Sequence, residues 1–161
     1  MSQRKPILPQ SLTSNPAFSP AVQVGELLFI SGQVAQDNDG NTVGVGDCEA
    51  QTHHIMSRIR TIVESAGATM QDTVKITTFL TNIDNYPAFS KVRSATFPSS
   101  PPASSTVIVA GLVRPEFLIE IEAVGAIAVL LENLSLYPYS SASGQGPLSS
   151  ASFLDDLSTC V

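Results

Sequence analysis

The sequence predicts an α+β fold: one sheet of four to six strands with two helices packed on one face, in the order β-β-α-β-α-β-β. Three observations carry this reading. Runs rich in β-branched residues, among them TVKITTFL and LIEIEAV, alternate with a period of two. Two other segments repeat apolar residues at helical spacing. Each of those helical segments has a single apolar stripe and so needs only one surface to cover it.

The elements follow in order. Residues 1–17 contain Pro6, Pro9 and Pro16 among Ser, Thr and Asn, and read as an extended N-terminal arm. Val22 to Gln33 (VQVGELLFISGQ) places two β-rich runs around Gly25-Glu26, where the glycine suits the first central position of a tight hairpin turn. Asp37 to Asn41 (DNDGN) reads as a surface loop, because its residues tolerate left-handed backbone or bond their own main chain. A calcium loop would need a bidentate glutamate at its twelfth position, where this chain has Cys48.

Gly46-Asp47 opens a helix with Asp47 as N-cap, and Ile55, Ile59, Ile62, Val63 and Ala66 line one side of it before Gly67 ends it. Thr73 to Leu80 is the next strand. A second helix follows Asp84, tolerates Pro87 in its first turn, buries Phe89 and Val92, and stops before Pro98. Ser105 to Ala110 and Leu118 to Leu130 give two further strands, joined across Gly111 to Pro115. The folded domain is thus expected over 18–130, followed by a Ser-, Gly- and Pro-rich, partly ordered tail over 131–161.

The 161 residues suit one core, and 43 % of them are hydrophobic against 14 % charged, which leaves little charge to keep copies of the chain apart. Self-association into a closed cyclic oligomer is the expected way to cover the second sheet face. A net charge of −6 without a basic stripe argues against nucleic acid as a partner. No stretch of about 18 apolar residues is present to span a membrane, and the start lacks a secretory pattern, so the expected location is cytoplasmic. Two cysteines, Cys48 and Cys160, are too few for a disulfide framework or a cysteine-rich metal site. His53 and His54 point about 100° apart on a helix and cannot share one metal as an i, i+4 pair would; no metal is expected.

Glu120 and Glu122 alternate onto one face of their strand, about 6 to 7 Å apart. They either face solvent, pairing with Lys75 or Arg114, or place one carboxylate in a cleft where desolvation raises its pKa and lets it handle a water or an amine. Gly32 and Gly111 each follow an apolar strand run, where glycine marks a bulge or a close approach by another backbone and either could floor a pocket. No GxSxG, GxGxxG or GxxxxGK[ST] occurs, so neither a nucleophile elbow nor a nucleotide-binding loop is indicated.

Six segments taken together resemble the RidA (YjgF/YER057c/UK114-like) family: Phe29-Ile30-Ser31-Gly32-Gln33, Glu49-Ala50-Gln51-Thr52, Ala66-Gly67-Ala68, Val74 to Thr81, Pro101 to Val107, and Ile119 to Ala123. Their order and spacing span about residues 16–129. The resemblance implies a chorismate-mutase-like protomer assembled as a homotrimer, with small-molecule pockets between subunits. It also implies cofactor-independent hydrolysis of reactive enamines and imines, such as 2-aminoacrylate, to a ketoacid and ammonia.

In such a pocket the resemblance makes Glu120 the catalytic residue that helps position water. Phe18 falls where relatives often have a tyrosine, and Ser31, Gly32, Ser90 and Thr106 are implied as further substrate-binding positions. The family's substrate-gripping arginine, in a Pro-x-Arg-Ser/Thr motif, is here Ser104. A serine cannot supply the charged fork that binds a carboxylate bidentately, which works against ordinary 2-aminoacrylate deaminase activity. Arg114 is the candidate replacement. Two functions follow as expectations: an enzyme acting on an altered imine, enamine or activated carbonyl, in a specialised metabolic pathway, or a non-catalytic trimer that binds a ligand or stabilises a partner.

Overall fold

The computed structural model describes residues 4–13 and 15–127. Its strands are β1 (Arg4–Ile7), β2 (Ala21–Val24), β3 (Leu27–Val34), β4 (Thr73–Leu80), β5 (Ala103–Ile108) and β6 (Ile119–Ala126), with helices α1 (Cys48–Ser65) and α2 (Tyr86–Thr96). One six-stranded sheet runs β1-β2-β3-β6-β4-β5, with β4 and β5 parallel and every other pair antiparallel. Two helices on a mixed sheet make this an α+β fold, as expected.

The first strand was not expected. The N-terminal arm is extended, but its residues Arg4 to Ile7 pair with Val24 to Ala21 and add an outer strand. Pro6 is tolerated there because an edge strand has a side on which no ladder donor is needed. At the other end β5 begins at Ala103, earlier than expected, and β6 runs from Ile119 to Ala126. The anticipated tail over 131–161 lies outside the described residues.

Local chemistry sets the other boundaries. Gly25 has φ of 60° in the two-residue turn between Val24 and Leu27, a backbone state open to glycine at little cost. The Asp47 side chain accepts a hydrogen bond from the Ala50 amide at 3.0 Å and caps α1, and Gly67, with φ of 82°, takes the chain out of it. In the loop after β3, Asp37 accepts from the Asn41 and Asp39 amides, and these bonds, Asn41's foremost, hold its carboxyl below the ordinary range.

The core lies between the helices and one face of the sheet. Ile55, Ile59, Ile62 and Val63 of α1 and Phe89 and Val92 of α2 meet Leu28, Ile30, Ile76, Leu80, Ile119 and Ile121. Gln51 is buried within this layer and ties α1 to the chain before β6: its Nε2 donates to the Gly44 and Glu116 carbonyls, and its Oε1 accepts from the Leu118 amide. The opposite sheet face carries Val24, Leu27, Phe29 and Val107, all exposed. No described helix is long and apolar enough to cross a membrane.

Candidate functional site

Strand β3 breaks register with β6 between Ile30 and Gln33, so Ser31-Gly32 forms a bulge. Ser31 is pinned there, its amide donating to the Pro20 carbonyl at 3.0 Å and its hydroxyl to the Ser19 carbonyl at 2.8 Å. Gly32 faces the carboxylate of Glu120 so closely that any Cβ at position 32 would collide with it. The bulge and the missing side chain together make room for one carboxylate. The bulge anticipated for Gly32 is thus present, and the close approach is made by the Glu120 side chain rather than by another backbone, whereas Gly111 approaches nothing among the described residues.

Glu120 is half-buried, and its carboxylate accepts no hydrogen bond among the described residues. Burial pushes its carboxyl above the ordinary glutamate value, and the neighbouring negative charge of Glu122 adds to the shift. Glu122 itself is exposed. Lys75, one partner considered for this pair, instead donates to the Ser105 hydroxyl at 2.7 Å.

Around Glu120 opens a cavity of about 420 Å³ that also takes in Asn15, Phe18, Ser31, Gly32, Gln36, Val113, Arg114 and Phe117. Four predicted positions, Phe18, Ser31, Gly32 and Arg114, thus share one wall with Glu120. Arg114 stacks over the Phe117 ring at 5.5 Å and donates through Nη1 to the Gly40 carbonyl at 2.7 Å.

Ser90, Ser104 and Thr106 lie elsewhere. The parallel register sets Ser104 beside Ile76 and Thr106 beside Thr78, on the helix-covered side, while Glu120 pairs with Phe79 on the other. Within one chain the sheet separates Ser104 from Glu120. Ser90, on α2, meets Ser104 through a residue that the sequence reading did not single out: Arg93 donates to the Ser104 hydroxyl at 3.3 Å and to that of Ser90 at 3.2 Å. The i, i+3 spacing of Ser90 and Arg93 was the available sequence signal. The contact with Ser104 depends on how α2 meets β5.

Other reactive side chains are placed without reference to the cavity. His53 is exposed, and His54 bonds the Gln36 carbonyl at 3.0 Å. Cys48 is buried, and desolvation raises its thiol above the ordinary value, the opposite of what a nucleophilic cysteine needs.

A mixed sheet backed by two helices, with one desolvated carboxylate set over a bulged glycine, defines a class of small α+β proteins with a concave site on the sheet's uncovered side. The chain belongs to the Endoribonuclease L-PSP family, whose pattern matches residues 9–127. Among solved structures it is similar to a protein of unknown function of the conserved Rid family from Yersinia pestis, at 30 % identity and a TM-score of 0.73, covering 78 % of this chain and 100 % of that one. It is also similar to a Mycobacterium tuberculosis member of the YjgF/YER057c/UK114 family (27 % identity, TM-score 0.65) and to the yeast protein YEO7 (27 %, 0.73), each covering 78 % of this chain and all of the other. The resemblance drawn from the six sequence segments is therefore to the right family.

Proposed function

We propose that the chain is a cofactor-independent enzyme that adds water to a small imine or enamine, or acts by proton transfer on an activated carbonyl, in a pocket completed between copies of the chain. The observation that carries this is the Glu120 carboxylate, half-buried in the 420 Å³ cavity and seated over Gly32. A carboxylate whose pKa is raised by burial is a stronger base than an ordinary glutamate and holds a removed proton more tightly. Glu120 takes a proton from water as the oxygen attacks the imine carbon, forming the C–O bond and opening C=N to an amine. That proton passes to nitrogen to complete the carbinolamine; the hydroxyl proton then follows it to nitrogen by way of Glu120, and the C–N bond breaks to release ammonia and leave the carbonyl.

Assembly follows from the uncovered sheet face, where Val24, Leu27, Phe29 and Val107 present apolar area suited to burial against identical subunits, a trimer in this reading. Strand β5 is the outer strand of the sheet, so in this reading its edge, with Ser104 and Thr106, is the part of one copy that meets the Glu120 cavity of the next. The net charge of −6 favours a small molecule over RNA as the ligand. A second reading, a non-catalytic trimer that binds a ligand or stabilises a partner, draws support from Ser104, which lacks charge, and from Arg114, which already donates to the Gly40 carbonyl.

The deciding experiment supplies enzymatically generated 2-aminoacrylate and related imines and follows ammonia and ketoacid release, with light scattering to establish the oligomer. Turnover that disappears in Glu120→Ala, with assembly intact, is expected. Intact assembly without turnover on any imine would overturn the hydrolytic reading in favour of the ligand-binding one.

A further inference from the structure

The bulge in β3 shifts the alternation of that strand by one residue: Leu28 and Ile30 are buried before it, Gln33 and Ala35 after it. A polar side chain is thereby turned toward the helices. Ser31 and Gly32, the residues at the break, have no pairing partner on β6. Gln33 serves them, its Nε2 donating to the Ser31 carbonyl at 2.9 Å and approaching that of Gly32 at 3.4 Å.

A buried amide must be satisfied at its other end as well. The Oε1 of Gln33 accepts from Nε of Arg58, on α1, at 3.2 Å. A second nitrogen of Arg58, Nη1, donates at 2.9 Å to the Gln36 carbonyl, which His54, one turn earlier on the helix, also bonds. Gln36 in turn donates through Nε2 to the Gly40 carbonyl, the acceptor that holds Arg114. Both walls of the Glu120 cavity, the bulge and the Arg114 side, therefore hang from one turn of α1.

Packing does not account for a cation at this position. Arg58 is half-buried, and desolvation works against its charge. No carboxylate lies within ion-pair distance of it among the described residues. Asp37, which lines the same outer cleft, is engaged by the Asp39 and Asn41 amides. What arginine supplies is a planar fork with donors at fixed separation, here meeting two acceptors at the end of β3. An amide can turn end for end, but with Nε of Arg58 before it only one orientation of Gln33 sets donor against acceptor on both sides.

We propose that Arg58 is a positioning residue for Glu120: acting through the Gln33 amide, it holds the Ser31-Gly32 bulge in the shape that receives the Glu120 carboxylate. That this serves turnover rests on the function proposed above. The positioning itself does not.

A nuclear magnetic resonance titration of the Glu120 carboxyl carbon in the full chain tests this, with the side-chain N–H signals of Gln33 and Arg58 followed in the same samples. In wild type those signals should move with the Glu120 midpoint, because carboxylate and amide meet the bulge from opposite faces of the sheet. Arg58→Met keeps an apolar stem and loses the fork. Its Glu120 midpoint should fall back toward the ordinary 4.5, with imine kcat lowered about tenfold and KM little changed. Arg58→Lys keeps the charge without the fork and should fall between the two. Glu122 and Arg114, the other charged groups near the carboxylate, are present in every variant. An unchanged Glu120 midpoint in folded Arg58→Met overturns the proposal. Gln33 and Arg58 signals that stay flat through the wild-type titration do so too, and need no variant to fold. A midpoint that depends on Arg58 without turnover of any imine defeats the hydrolytic function and leaves the positioning standing, whereas turnover and midpoint both indifferent to Arg58 do the reverse.

Discussion

The two faces of the sheet use the same strands for opposite ends. On β6, Ile119, Ile121 and Ala123 are buried beneath the helices, while Glu120 and Val124 on the other side are half-covered and Glu122 is exposed. On β3, Leu28 and Ile30 are buried and Leu27 and Phe29 are open. The helix side spends its residues on packing. The other side carries the exposed apolar residues and the half-buried carboxylate on which the proposed assembly and chemistry rest, so a substitution should report on stability or on the proposed function according to the parity of its position.

The largest expected effect is on the helix side: Ile121→Ala leaves a cavity in a fully buried site and should cost about 2–5 kcal/mol in chemical denaturation. A cost below about 1 kcal/mol would mean the core lies elsewhere. On the open side, Phe29→Asp with Val107→Asp should separate the copies to single chains in light scattering, while the helix-side core stays intact. If wild-type protein is already a single chain, the assembly proposed for this face is wrong. Gly32→Ala should preserve the fold and lower imine turnover at least tenfold, because the added methyl displaces the Glu120 carboxylate; unchanged turnover would remove Glu120 from the chemistry.

Thr78 sharpens the contrast from within the core. Its hydroxyl is buried on the helix side without a partner among the described residues, so Thr78→Val should gain about 1 kcal/mol, and a loss would point to a partner for that hydroxyl. The smallest effect concerns pH. Folding raises the Glu120 pKa, so the folded state holds that proton more tightly than the unfolded chain. The stability this contributes is fully present below the ordinary value of 4.5 and is lost as pH rises through the raised one. Glu120→Gln lacks this decline, and thermal melts should show it gaining on wild type from acid toward neutral pH. A constant difference across that range would show that Glu120 titrates normally. In wild type the same shift should make turnover fall, on acidification, at a pH above 4.5.

Sequence legibility followed the distance over which each feature is decided. Asp47 and Gly67 bound α1 by contacts within a turn, and the Gly25 hairpin is equally local, so these were readable. The family motifs brought Phe18, Ser31, Gly32 and Glu120 forward together, and they line one cavity. Strand β1 escaped notice because Pro6 reads as a breaker, and only pairing with β2 makes the segment a strand. Arg93 was missed for a related reason: its place beside Ser104 is set by the docking of α2 on β5. Within one chain Ser104 and Glu120 fall on opposite faces of the sheet because of the β4 register, a parity that no single motif displays.

The strand order also bears on how the chain is made. Strand β6 is the last described strand in sequence, yet it sits between β3 and β4 and joins the two halves of the sheet. Until it emerges from the ribosome, β3 and β4 each have an unpaired edge, and the contacts that close the sheet span most of the described chain. Glu120 travels on that same strand. A nascent or truncated fragment lacking it therefore has no carboxylate over Gly32, and the proposed site is assembled in the same step that completes the fold.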